Sequence, residues 1–288
     1  MRLAMAAAVL ALTIAPAAAD LLAPFKDRLF ALPATLETSD GGARVVVDYR
    51  EMRDINGRDE IPERRAHATY VDLSVRRAQQ DVAVQTSAGP IRHVAVGRAE
   101  NARFIVVYLH GQGGNRSQGA DDFTFGGNFN RIKNLAAAND GLYLSPDFTD
   151  FGSKGAGEVA ALLAAYGQAA PRAPIFVACG SAGGALCWRL AQDERITERL
   201  GGLLLFGSHW DEGFLTSAAF RARVPVYFGH GSRDRVFPVE RQEAFFRSIR
   251  AAAPGYPARM VRFESGTHGT PIRMTDWRDI INWMSNSR

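Results

Sequence analysis

The chain has 288 residues, 47% of them hydrophobic and 22% charged, with a formal net charge of +4. That length is enough for one α/β domain with a sizeable core. The charge does not mark a nucleic-acid partner, because between residues 27 and 103 the many arginines are interleaved with Asp and Glu, the pattern of a solvated mixed surface.

Residues 1–19 read as a secretory signal peptide. Arg2 supplies an early positive charge, Leu3 to Ile14 an apolar stretch, and "APAAA" the small residues suited to cleavage before Asp20. The apolar run is short for a membrane anchor, which takes about 20 residues. Residues 20–288 are therefore expected as a single α/β domain, periplasmic or secreted, without stable membrane insertion after the signal is removed. Its charge falls to +3, from +4 less Arg2.

From Arg44 to Ile105 the runs "RVVVDY" (44–49), "ATYVDLSV" (68–75), "DVAVQT" (81–86) and "IRHVAV" (91–96) predict strands separated by Asn-Gly, Gly-Pro and charged breaks. They are expected to be antiparallel and to extend a larger sheet at one edge. After Asn101 the pattern changes. "RFIVVYLH" (103–110) is a continuous apolar run of the kind buried on both faces of a parallel sheet. "GLYLSPDF" (141–148), "PIFVAC" (174–179), "GGLLLFGS" (201–208), "VPVYFGH" (224–230) and "ARMVRFE" (258–264) repeat it. Helical spacing falls between them, at Val159, Leu162, Leu163 and Tyr166, at Gln242, Phe246 and Ile249 behind Pro238, and at Trp277, Ile280, Ile281 and Met284. Alternation of this kind predicts a mostly parallel sheet with helices on both faces and antiparallel strands at the N-terminal edge.

In such sheets ligands bind beyond the carboxyl ends of the strands, and three reactive residues fall there. The strand ending at Cys179 delivers Gly180-Ser181-Ala182-Gly183-Gly184 to a helix beginning near Ala185. Alone, this near-match to G-x-S-x-G is equally a tight glycine-rich turn. Cys179 stands where the commonest form has glycine, and it is still compact. Asp234 lies just past a later strand and His268 in a Gly-rich loop after the last one, and each alone would read as a cap or a loop polar residue. Together they give the chain order Ser, Asp, His, each after a different strand, which fits a hydrolase triad. A serine hydroxyl is a poor nucleophile until an imidazole takes its proton, and the imidazole needs one nitrogen fixed as donor to a carboxylate. The developing oxyanion needs two backbone N–H groups. Ala182 supplies one, and "LHGQGGN" (109–115) the other, at Gln112 with Gly113 as the alternative. "HGQGG" lacks the Gly-Lys-Ser/Thr ending of a P-loop and the spacing of a dinucleotide fingerprint.

"HGQGG", "CGSAGG", "GHGSRDRVFP" and "GTHG" resemble the oxyanion loop, nucleophile elbow, acid loop and histidine loop of the α/β-hydrolase superfamily, over roughly residues 103–288. Within it the chain is similar to capless esterases and to polyhydroxyalkanoate-depolymerase-like or acyl-thioesterase-like members. The resemblance implies Ser181 as nucleophile, Asp234 as acid, His268 as base, and the Gln112 and Ala182 amides as oxyanion hole, with no cofactor.

His110 is expected to support the oxyanion loop and His230 to hydrogen-bond locally. His209 and Asp211 flank Trp210 on the active-site side but lack the further ligands a metal needs. Only "HWDEGFLTSAAFRAR" (209–223) separates two strands where a cap would be inserted, so an open cleft is expected. Residues 115–130, with Phe123, Phe125 and Phe129, are candidates for one wall, and Phe151, Trp210 and Phe214 for substrate contacts. The leading function is an exported hydrolase of carboxylic esters working on a small-molecule or acyl ester. A serine peptidase of prolyl-oligopeptidase type and a non-catalytic binding protein that keeps the fold are the alternatives. Cys179 and Cys187 are brought to similar depth by a strand and a helix folding back beside it, which allows either a disulfide or two buried thiols.

Overall fold

The long apolar runs form the middle of a ten-stranded sheet. A computed structural model describes residues 20–287, so the expected signal peptide lies outside the described residues. In chain order the strands are β1 (Thr35–Ser39), β2 (Arg44–Val47), β3 (Asp59–Ile61), β4 (Arg65–Ala66), β5 (Gln79–Thr86), β6 (Gly89–Gly97), β7 (Ile105–Leu109), β8 (Leu142–Pro146), β9 (Ile175–Gly180), β10 (Leu200–Phe206), β11 (Val226–Gly231) and β12 (Ala258–Phe263). The sheet order is β1-β2-β12-β11-β10-β9-β7-β8-β6-β5, and β3 and β4 form a separate hairpin.

From β2 to β8 every neighbouring pair is parallel. Strands β7 to β11 are buried along their whole length, as a parallel sheet covered on both faces requires. Each fully buried Val or Leu there contributes about 1.5–3 kcal/mol relative to exposure. One face packs against the helices Ser153–Ala169, Gly184–Gln192 and Val239–Ala252, and the other against Asn128–Ala138 and Trp277–Asn286.

Two expectations for the N-terminal third need correcting. The early strands do not all extend one edge. The antiparallel pair β5–β6 joins the edge at β8, whereas β2 runs to the opposite side, pairs parallel with β12 and carries β1 antiparallel outside it. Arg44, almost fully buried, fixes β2 there through Glu243 on the Val239–Ala252 helix, 2.7 Å away. Residues 68–75 are not a strand but two short 3-10 turns, Ala68–Tyr70 and Leu73–Ala78. Asp72 accepts the Ser74 amide at 2.9 Å, a local bond that competes with any ladder. Its own backbone carbonyl is taken by the side chains of Asn130 and Asn134.

Because β2 is parallel to β12, the segment leaving it emerges at the carboxyl ends of the strands. Residues 48–67 therefore lie on the side where the loops after β7, β9, β11 and β12 converge.

Candidate active site

The turn after β9 holds Ser181 at φ +52°, a conformation that costs a non-glycine residue about 1–3 kcal/mol and persists only where its surroundings fix it. Three contacts do so. A Cβ at Gly183 would lie 2.5 Å from the Leu109 carbonyl oxygen, so the turn can press against the end of β7 only with glycine there. The buried Ser208 hydroxyl donates to the Ser181 carbonyl at 2.8 Å. Cys179 and Cys187 form a disulfide across the turn, joining β9 to the helix Gly184–Gln192.

The loops after β11 and β12 meet this turn. His268 Nε2 lies 2.8 Å from Ser181 Oγ, and His268 Nδ1 lies 2.8 Å from Asp234 Oδ2. The other Asp234 oxygen accepts the amides of Val236 at 2.7 Å and Phe237 at 3.0 Å. Burial pushes the Asp234 carboxyl up, but the hydrogen bonds from His268 and from the Phe237 and Val236 amides outweigh it and hold it below the ordinary carboxylate range. The histidine loop is braced by the N-terminal segment. The Thr267 hydroxyl donates to Glu51 at 3.1 Å, and the Ser265 hydroxyl to the Tyr49 carbonyl at 2.9 Å.

The loop after β7 closes the site. A Cβ at Gly111 would stand 2.8 Å from the Ser181 Cβ, so glycine allows the chain carrying Gln112 to reach the serine. His110 anchors this loop as expected. Its Nδ1 pairs with the Gly111 carbonyl at 2.9 Å, and its ring stacks on Phe148 at 4.2 Å. Burial keeps the His110 imidazole below its ordinary pKa.

No family model matches the sequence, and no curated protein is similar to it by sequence. Solved structures do match. An esterase of Pyrococcus furiosus shares 15% identity over 72% of this chain and 89% of its own, with a TM-score of 0.54. A protein of unknown function from Agrobacterium tumefaciens, provisionally classed with the α/β-hydrolases, shares 14% over 70% and 93%, with a TM-score of 0.56. An α/β serine hydrolase homologue from Coxiella burnetii shares 16% over 70% and 95%, with a TM-score of 0.50.

The chain has the α/β-hydrolase fold.

On this fold Ser181, Asp234 and His268 come together, with Ala182 directly after the serine and Gln112 directly after the glycine that touches it. The candidate substrate residues separate. Phe214 is fully buried and packs against Trp188, Phe220, Phe245 and Tyr256. It is a core residue and lines no cleft, because the Glu212–Thr216 turn folds its side chain under the surface. Trp210 is half-buried and carries the Arg241 guanidinium 5.1 Å over its ring. Phe151 packs edge-on against Phe148 and His110 behind the oxyanion loop. Of the 115–130 aromatics, Phe129 is core, Phe123 stacks under Arg65, and Phe125 lines a cavity of about 220 Å³ beside the histidine loop, with Tyr49, Glu51, Thr267 and Arg273.

His230 is buried and neutral-leaning, its pKa lowered by burial. Its Nε2 lies 2.7 Å from the Phe237 carbonyl. Asp211 caps the turn at 212–216 through the Gly213 amide, 2.8 Å away. Sequence reasoning missed Ser208, Glu51 and Phe237. Only Phe237 carried a signal, as the aromatic three residues after the acid in "DRVFP".

Proposed function

We propose that the protein is an exported serine hydrolase that cleaves carboxylic esters through an acyl-enzyme. The observation that carries this reading is the continuous hydrogen-bonded chain from Asp234 through His268 to Ser181, ending on a serine held in a left-handed turn. His268 Nε2 takes the Ser181 proton as Oγ forms a bond to the ester carbonyl carbon. Asp234 fixes the imidazole in the tautomer that leaves Nε2 free to accept, and stabilises the imidazolium that forms. The Gln112 and Ala182 amides receive the oxyanion, each such donor being worth about 2.7–4 kcal/mol of barrier. The C–O bond to the alcohol then breaks, and the proton on His268 Nε2 passes to the departing oxygen. Water, deprotonated by the same nitrogen, adds to the acyl carbon; the bond to Ser181 Oγ then breaks, the proton on His268 Nε2 returns to Oγ, and the acid leaves.

The disulfide between two fully buried cysteines supports export, since such bonds persist in oxidising compartments. The substrate is a small-molecule or acyl ester, and no cofactor enters the scheme. The test is turnover of short-chain ester, thioester and aminoacyl-amide substrates by the mature protein and by Ser181→Ala. Ester cleavage that falls at least about 10³-fold in the variant is the expected outcome. Equal turnover by both proteins overturns the reading, and faster amide than ester cleavage turns it into a peptidase.

A further inference from the structure

We infer that Phe237 is a specificity-determining residue that contacts the alcohol portion of the ester and favours aromatic or similarly flat apolar leaving groups. The inference rests on the triad reading above.

Chemistry fixes where the alcohol must lie. The proton it needs on departure comes from His268 Nε2, so the leaving oxygen and its substituent must lie beside that imidazole. The Phe237 ring is a neighbour of that imidazole, its centroid 5.8 Å from that of His268 and also 5.8 Å from that of His209. The backbone of Phe237 is held at both polar groups. Its amide donates to Asp234 Oδ1 at 3.0 Å and its carbonyl is 2.7 Å from His230 Nε2. The carboxylate paired with His268 thus also holds the backbone that carries this ring. Phe237 is only partly buried, and the neighbouring Val236 is 56% exposed, so this segment offers accessible apolar surface. Burial lowers the pKa of His209, which favours the uncharged form of this second neighbour of Phe237. An aromatic held rigidly binds a flat apolar group with little entropy loss.

The test uses acetate esters that share one acyl group and differ in alcohol: methyl, cyclohexyl and benzyl. For Phe237→Ala the ratio of kcat/KM for benzyl over methyl acetate is expected to fall at least tenfold, and Phe237→Tyr is expected to restore it to within about threefold of wild type. An unchanged ratio in Phe237→Ala overturns the assignment. So does a variant in which single-turnover deacylation, which no longer contains the alcohol, slows by the same factor as acylation for every ester, since Phe237 would then act by positioning His268. Ser181→Ala, run on the same esters, separates the two levels. If it cleaves them as fast as wild type, the hydrolase reading has failed. If it is inactive and the Phe237→Ala ratio is unchanged, only the Phe237 assignment has failed.

Discussion

Cys179 and Cys187 are joined across the turn that carries Ser181, so the serine sits inside a covalent loop closed between residues eight apart in sequence. The bond ties the last turn of β9 to the first turns of the following helix, the two elements whose relative angle sets the strained φ of Ser181.

Removing that bond should cost stability. For cysteines eight positions apart in sequence, loop-closure entropy in the unfolded chain corresponds to about 2.5 kcal/mol. Cys179→Ala/Cys187→Ala is expected to lower the unfolding free energy by at least that amount and Tm by about 5–10 °C. Urea unfolding and thermal scans of the oxidised wild type and the double variant measure both. Coincident midpoints would contradict the stabilising role.

Asp234→Asn separates orientation of the base from support of the acid loop. An Asn Oδ1 still accepts the Val236 and Phe237 amides, so the fold should be retained with Tm within a few degrees of wild type. The charge and acceptor facing His268 Nδ1 are lost, and kcat should fall by about 10³–10⁴-fold. Steady-state kinetics beside thermal unfolding gives the comparison. A large loss of Tm with a small loss of kcat would mean that Asp234 serves the loop and not the base.

Gly111→Ala tests the close approach of the oxyanion loop to the serine. The new Cβ would meet Ser181 Cβ at 2.8 Å, and one of the two must move. Displacement of about 1 Å at a reacting group costs on the order of 10²-fold in rate. The expected result is a kcat loss of that order with far-UV circular dichroism unchanged. Wild-type kcat would show that the loop does not bear on the reaction.

Stability should fall on mild acidification. Burial lowers the pKa of His93, His110 and His230 in the folded protein, whereas in the unfolded chain each titrates near about 6.5. As pH drops below about 6.5 the unfolded state binds protons that the native state does not. Each such histidine then contributes up to about 1.4 kcal/mol of lost stability per pH unit, until its folded pKa is reached. Asp234 adds a loss of the same sign, but only as pH falls below about 4. Urea midpoints at pH 7.5 and 5.5 should differ, and His230→Gln should reduce the difference. Equal midpoints at the two pH values would contradict the buried neutral histidines.

The parts of the fold legible in the sequence were those dictated by burial on both faces. "IVVYL", "IFVAC" and "LLLF" could be little else than central parallel strands, and the turns after "IFVAC", "VPVYFGH" and "ARMVRFE" give the places of Ser181, Asp234 and His268. The N-terminal third was less legible. Strand β2 is a four-residue run, RVVV, that carries no sign of which edge it joins, and the Arg44–Glu243 pair that ties it to the far edge joins residues 199 apart, which no local pattern records. Residues 68–75 have the β-branched content of a strand, but the Asp72 side chain closes a local turn there. Phe214 is core and not cleft, because an aromatic in a polar loop carries no sign of whether the loop folds it inward. Similar depth allows a bond between Cys179 and Cys187 without requiring one, and the folded chain forms it. Phe237 is the aromatic three residues after the acid in "DRVFP", and its place beside His268 follows from the fold of that loop, which the local sequence does not record.

The central claim is that Ser181 is a nucleophile activated by His268, and covalent labelling tests it most directly. The mature protein is treated with a fluorophosphonate near pH 7.5, and the adduct is counted and located by intact-mass and peptide mass spectrometry. One adduct per chain is expected, on the peptide containing Ser181, with labelling slowed at least about 10³-fold in His268→Ala. No adduct, an adduct elsewhere, or equal labelling of wild type and His268→Ala would contradict the account.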